Sequence, residues 1–347
     1  MAFQRVALLA GLFALLSVFF SAQATPLEKR AVRTSPPSGS VVVRGSGTQS
    51  GEFSTLQAAV NSLPNDSSAR TIFIYPGTYS EQVSITRSGK LTIYGSTTDT
   101  TSYKSNSVTI THALSAGQAG NDDLTGTLRV HKDNFALYNV NVKNTFGPHT
   151  SSGGQALALS AYGTNHGYYG VGFYGYQDTV LAEQGNQYYG SCYIEGAVDY
   201  IWGQHARAYF QKNTIASVAA GAITADGPTS SSDASLFVIN QSTITTSSAA
   251  TTDLTGKVYL GRPWTQYARV VYTSCSLGAL INPAGWSQWS SSTPNTGNVL
   301  FAEFASSGAG AAGTRASFSK KLSSASGYGI ADVLGSSWTS WVDQAYV

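Results

Sequence analysis

Apolar and small polar residues alternate along this chain in a short unit that keeps returning. An aromatic or apolar residue opens it, a small or amide stretch follows, and an apolar residue closes it. The copies are Tyr138-Asn139-Val140-Asn141-Val142, Tyr169-Gly170-Val171-Gly172-Phe173, Tyr189-Gly190-Ser191-Cys192-Tyr193-Ile194, Phe210-Gln211-Lys212-Asn213-Thr214-Ile215, Val238-Ile239-Asn240-Gln241-Ser242-Thr243-Ile244 and Tyr272-Thr273-Ser274-Cys275-Ser276-Leu277. Their closing residues are separated by 31, 21, 21, 29 and 33 positions. Two bare intervals of 21 flanked by longer ones are what a parallel β-helix gives when loops of varying length bulge from one face. Upstream, Thr71 to Tyr75, Leu91 to Tyr94, Val108 to Ile110 and Leu128 to His131 are rich in β-branched and aromatic residues and read as further short strands. Helical signal is weak. The exception is Ser54 to Leu63, where Ser54 can cap and Leu56, Ala59, Val60 and Leu63 share a face before Pro64, a short helix suited to closing the open end of a solenoid.

The same interval carries chemistry. Phe173-Tyr174-Gly175-Tyr176-Gln177-Asp178-Thr179-Val180 and Ile194-Glu195-Gly196-Ala197-Val198-Asp199-Tyr200-Ile201 each place an aspartate five residues after the closing apolar residue. If one rung takes 21 residues, Asp178 and Asp199 fall at the same point on consecutive rungs, about 4.8 Å apart. Carboxylates that close do not both ionise easily near neutral pH, so one is pushed toward its protonated form. A β-sandwich or jelly roll, the competing all-β architecture, does not explain two matched acids at one rung interval.

The first residues read as an export signal, with Arg5 ahead of the apolar run Val6 to Phe20 and a small-residue cleavage pattern at Ala22-Gln23-Ala24. Residues 1–24 are thus expected to be a signal peptide, and 25–30 a short pro-segment ending at Lys29-Arg30, unless that pair is an ordinary exposed one. Residues 31–347 then form one catalytic domain. Removing the first thirty residues takes Arg5, Lys29 and Arg30 from the 20 bases and Glu28 from the 18 acids, leaving 17 of each. A neutral chain offers no basic excess for nucleic acid, and no second long apolar segment offers a membrane anchor. A secreted monomer is the expectation. Asn65-Asp66-Ser67 and Asn240-Gln241-Ser242 match the glycan acceptor pattern. Cys192 and Cys275 could form one disulfide or be two buried thiols, and the second reading is favoured. Neither has a CxxC partner or a histidine at ligand spacing, so no metal and no cofactor are expected.

Four further blocks decide among enzyme classes. Gly154-Gln155-Ala156-Leu157-Ala158-Leu159, Gly175-Tyr176-Gln177-Asp178-Thr179-Val180, Val198-Asp199-Tyr200-Ile201-Trp202-Gly203 and Leu260-Gly261-Arg262-Pro263-Trp264 stand in this order. The chain resembles the pectin methylesterases in these blocks and over most of its length, from about Phe53 to Trp286. The resemblance implies a right-handed parallel β-helix and hydrolysis of galacturonic acid methyl esters in homogalacturonan. It implies Asp199 as nucleophile, Asp178 as general acid and base, Arg262 keeping Asp199 ionised by lowering its pKa, and Gln155 and Gln177 as donors to the oxyanion. Gln155, Trp202, Arg262 and Trp264 are implied to bind substrate, the two indoles by packing on sugar rings. Tyr200 and Trp202 stand where the family usually has phenylalanine, Gln204-His205 where asparagine is frequent, and Val180 where leucine is usual, departures that bear on cleft shape rather than on the reaction.

A polysaccharide lyase or glycosidase of the same fold is the rival reaction, since glycosidases also pair carboxylates. A catalytically dead carbohydrate-binding β-helix is the rival class. A serine esterase is disfavoured because there is no GxSxG elbow. His112, His131, His149, His166 and His205 lie near no nucleophile motif, and they read as satisfied or surface groups even where His149 and His166 flank the Gln155 block.

Overall fold

The computed structural model describes residues 31–148 and 152–347. The expected signal peptide, the 25–30 segment and His149 lie outside them.

Each rung passes through three parallel ladders. The first holds Gly77–Ser80, Val108–His112, Asn141–Asn144, Gly172–Tyr174, Tyr193–Gly196, Thr214–Ser217, Thr243–Thr246 and Ser276–Leu277, stacked in chain order. The second runs from Val41–Val43 and Arg70–Ile74 to Leu300–Phe304 and Ser319–Lys321. The third includes Leu128–His131, Leu159–Tyr162, Ile201–Gly203, Gly221–Asp226 and Val258–Gly261. Val180–Gly190 bridges two of them, its first residues pairing with Ile201–Gly203 and its remainder with His205–Gln211. The architecture is the right-handed parallel β-helix.

The stack is held in register from inside. Val142, Phe173, Ile194, Ile215, Ile244 and Leu277 pair one above the next, and all are buried. Each therefore touches its own counterpart above and below, which keeps a continuous apolar column from a repeat that could not bury its face alone. Beside it stand Tyr168, Tyr189 and Phe210, whose rings lie 4.7 and 4.5 Å apart at 15° and 10°, close to the strand spacing itself. One part of the sequence pattern is misaligned. Tyr169 pairs with Tyr138 and Gly190, not with Tyr189, so the opening aromatics belong to two columns on opposite faces of the strand. A one-residue offset is enough to reverse a strand side chain.

The turn from the second ladder to the first is a single left-handed residue. Asn139, Gly170, Ser191, Lys212, Gln241, Ser274 and Ala305 all have φ between 48° and 58°. Non-glycine residues in this region cost on the order of 1–3 kcal/mol each, and they persist because the ladders on both sides fix the backbone.

The helix Leu56–Ser62 buries Leu56, Ala59 and Val60 against the first rungs. Its cap is Thr55, whose side chain accepts from Ala58 N, and not Ser54. Glu81 adds a carboxylate that accepts the free N–H groups of Leu56 and Gln57 at 2.7 and 2.8 Å. At the other end of the sequence, residues after Ile330 fold back over the outer face of the second ladder and cover Tyr169, Tyr188 and Tyr209. Tyr188 donates to Tyr346 O at 2.7 Å, and Arg207 Nε donates to Val333 O at 2.6 Å.

Both cysteines are free and buried, which settles the choice for thiols. Burial pushes each thiol up to about 12. The two acceptor patterns separate as well. Asn65 lies exposed in a loop, whereas Asn240 donates its amide to Gln211 Oε1 at 2.7 Å and Ser242 Oγ accepts the Asn213 N–H at 3.0 Å inside the stack.

Phe173→Ala removes one member of the innermost column and is expected to cost about 3–5 kcal/mol in a urea unfolding titration, whereas Val32→Ala, at an exposed position, changes the midpoint by less than about 0.5 kcal/mol.

Candidate active site

Between the first and third ladders the chain turns through Asp178 and Asp199, with φ of 63° and 50°. Aspartate is one of the few L-residues that enters this region readily. Gln177 pairs with Val198, Asp178 N donates to Val198 O at 3.0 Å, and Asp199 N donates to Ala222 O at 2.7 Å. The two acids thus leave the same turn position on consecutive rungs, as their spacing predicts. Both are buried, Asp178 with 7% and Asp199 with 5% of its surface exposed.

Their partners differ. Arg262 follows the third-ladder strand Val258–Gly261, and its guanidinium grips Asp199 with two bonds, Nε to Oδ1 at 2.9 Å and Nη2 to Oδ2 at 2.7 Å. Behind the guanidinium, its Cζ lies 4.3 Å from the ring centre of Trp289. Among the described residues Asp178 has no such partner. Burial first, then the charges of Asp199 and Asp122, hold its carboxyl well above the usual carboxylate range, with Arg262 opposing. Burial also raises Asp199, and the Arg262 hydrogen bonds and charge pull it back. Arg262 thus acts on Asp199 in the expected direction, lowering its pKa against the cost of burial, and this sets a difference between the two acids.

Gln155, Gln177, Asp178, Asp199, Arg262, Trp202 and Trp264, the whole set picked out in the sequence, line one cleft of about 180 Å³. The Gln155 Oε1 atom is buried there without a hydrogen-bond partner among the described residues. Trp202 is not an open platform. It is 6% exposed, its indole N–H donates to Asp178 O at 3.1 Å, and its ring meets that of Trp264 edge-on at 5.5 Å. It is a wall that also fixes the Asp178 backbone. Trp264 is the more open of the two and packs over Gly227, where a Cβ would come within 2.4 Å of the indole.

Sequence reasoning missed Asp122, Ala225 and Trp289, which also line the cleft. Asp122 sits in a polar loop and Trp289 after the last repeat, so neither carried a periodic signal. The described histidines are engaged elsewhere where their contacts are visible. His131 Nε2 meets Asp123 at 2.8 Å, His205 meets Asp233 at 2.5 Å, and buried His166 contacts Lys132 O and is pushed down to about 4 by burial. Among the described residues no group of three or more histidine, cysteine or acidic side chains gathers as a metal site.

Residues 40–325 match the family model for pectinesterase. The chain belongs to the pectinesterase family. It is 48% identical to a pectinesterase of Aspergillus niger over 339 residues, covering 96% of this chain and 98% of that protein. A pectinesterase of Aspergillus aculeatus is 49% identical over 322 residues, covering 91% and 95%. Among solved structures, the pectin methylesterase of Aspergillus niger matches with a TM-score of 0.83 at 41% identity, covering 91% of this chain and all of that one. The carrot pectin methylesterase matches with a TM-score of 0.79 at 27% identity, covering 88% and 97%. Membership makes the chain a carboxylic ester hydrolase acting on pectin, and the solved relatives share its β-helix.

The buried acid has a stability consequence. Because the folded-state pKa of Asp178 is raised, the folded protein holds a proton there that the unfolded chain releases, and stability falls as pH rises above the unfolded value near 4. Asp178→Asn removes this term while keeping a residue suited to the left-handed backbone. Its melting temperature is expected to exceed that of the wild type by on the order of 2 °C or more at pH 7, with the gap closing toward pH 4.

Proposed function

We propose that the cleft de-esterifies homogalacturonan through an aspartyl acyl-enzyme. One Asp199 oxygen attacks the carbonyl carbon of a galacturonate methyl ester. The carbonyl electron pair moves to oxygen, and the amide N–H groups of Gln155 and Gln177 stabilise that negative charge. As the tetrahedral species collapses, the methoxy group leaves with the Asp178 proton as methanol, and Asp199 is left joined to the sugar as a mixed anhydride. Asp178, now ionised, takes a proton from water, whose oxygen attacks the sugar acyl carbon. The anhydride breaks, the galacturonate is freed, Asp199 recovers its carboxylate in the grip of Arg262, and Asp178 is protonated again.

The observation that carries this reading is the asymmetric pair: two buried carboxylates one rung apart, only one of them held by a guanidinium through two bonds. Trp264 offers the open aromatic face for a sugar ring, and Arg262 is placed both to hold Asp199 and to meet the substrate. The reading extends to a secreted monomer in which residues 31–347 are one catalytic domain following a cleaved signal, with a glycan at Asn65 and none at Asn240. No helix of the described residues is long and apolar enough to cross a membrane.

Asp199→Ala is expected to lower methanol release from methylated pectin by about 10⁴-fold or more, and Gln177→Ala by about 10²–10³-fold, both with an unchanged fold by circular dichroism. Methanol should appear with no fall in polymer viscosity and no new reducing or unsaturated ends. A folded, active Asp199→Ala protein refutes the nucleophile, and backbone cleavage refutes the reaction.

A further inference from the structure

One buried acid beside the cleft has no part in the steps above. Glu183 lies in the strand Val180–Gly190 at a break in register. Leu159, Ser160 and Ala161 pair with Val180, Leu181 and Ala182, but Tyr162 pairs with Gln184. Glu183 is the extra residue of a β-bulge, the device by which a strand re-aims a side chain. It is 9% exposed, and Glu183 Oε2 accepts the Gln204 N–H at 3.1 Å. Among the described residues no cation forms an ion pair with it. Its side chain lines a second cavity, about 330 Å³, that shares Asp122, Trp202 and Trp264 with the catalytic cleft. The two hollows therefore adjoin, so a polymer bound across the catalytic cleft can extend one way into the cavity that Glu183 lines.

On the other flank of Trp264 lies a cavity of about 670 Å³ lined by neutral side chains, among them Gln266, Tyr267, Asn295 and Thr296. The groove is thus acidic on one arm only. In the acidic arm, Asp123 is paired with Arg129, contacted by His131 and bonded by Ser160, and Asp233 is contacted by His205. Among the described residues, Asp122 and Glu183 are the carboxylates there with no ion pair.

We propose that Glu183 selects the esterification state of the sugar next to the one being hydrolysed, accepting a methyl ester and turning away a free uronate. The proposal rests on the pectin methylesterase reading above and adds a selector to it. The two sugars differ only at the C6 group: the ester is neutral, whereas the free acid, like other carboxylic acids, is ionised above about pH 4. An ionised Glu183 repels that charge across the adjoining cavity. A protonated Glu183 does not, and can donate its own O–H to the uronate. Burial pushes Glu183 up to about 7, with His205 and the Gln204 N–H opposing and Asp233 assisting. Discrimination is consequently weak below that value and strong above it. Tyr162, the remaining titratable group lining this arm, is pushed up to about 12 and stays neutral throughout.

The test is the ratio of kcat/KM for densely methylated over sparsely, randomly methylated homogalacturonan, measured by methanol release at pH 5 and pH 8. Both substrates meet the same catalytic groups, so the titration of Asp178 and Asp199 cancels from the ratio. For the wild type the ratio should rise about tenfold between the two pH values. For Glu183→Gln it should stay within about twofold, with the melting temperature confirming the fold. A wild-type ratio that does not move with pH overturns the proposal without need of any variant. A Glu183→Gln protein that keeps the full pH response overturns it too, as does an Asp122→Asn protein that loses it. Absence of methanol from either substrate is a different failure, that of the esterase reading itself.

Discussion

The site exists because parallel pairing repeats in register. Gln177 pairs with Val198 for the same reason that Phe173 pairs with Ile194: an apolar side chain inside the coil meets its own counterpart on the next rung. With a rung of 21 residues on either side of this point, any group at the turn is duplicated about 4.8 Å away. A pair of carboxylates at that spacing needs no dedicated scaffold. The left-handed turn that carries them is the one demanding local feature, and aspartate is suited to it.

Repetition makes the two acids equivalent, and catalysis needs them to differ. The difference comes from outside the repeat. Arg262 arrives from two rungs further along the third ladder and has both Asp199 oxygens, while Trp289 backs its guanidinium from beyond the last sequence repeat. Trp202 secures the Asp178 backbone without touching its carboxyl through a hydrogen bond. The resulting order, Asp178 the more reluctant to ionise, follows from burial acting on both and a cation acting mainly on one.

The residues that could be read from sequence are those the repeat itself positions. The closing column from Val142 to Leu277 was visible because each member is apolar and nothing else at that position fits inside the coil. Asp178 and Asp199 were visible because they share its period. The third ladder was largely hidden: Leu159–Tyr162, Ile201–Gly203 and Gly221–Asp226 are short, and the sequences there serve the cleft as well as the strand. Tyr169 was placed in the wrong column because a strand pattern fixes alternation but not which of two adjacent aromatics faces inward. Thr55 displaced Ser54 as the helix cap, a choice between two hydroxyls that only the backbone turn resolves. Asp122, Trp289 and Glu183 come from loops and a bulge, whose placement depends on tertiary contacts and leaves no periodic trace.

The C-terminal segment gives the solenoid a property that a simple stack lacks. In a stack each rung touches only its neighbours, so ends can fray and damage can spread rung by rung. Here one strap lies along the axis and bonds to many levels at once: Tyr138 donates to Asp343, Tyr169 to Trp341 O, Asn186 to Leu334 O, Arg207 to Val333 O and Lys212 to Val347 O. Opening any one of those levels loosens the strap for all of them. A linear array thereby gains a tie between levels that are not neighbours, and the rungs that carry the two aspartates lie within the strapped span.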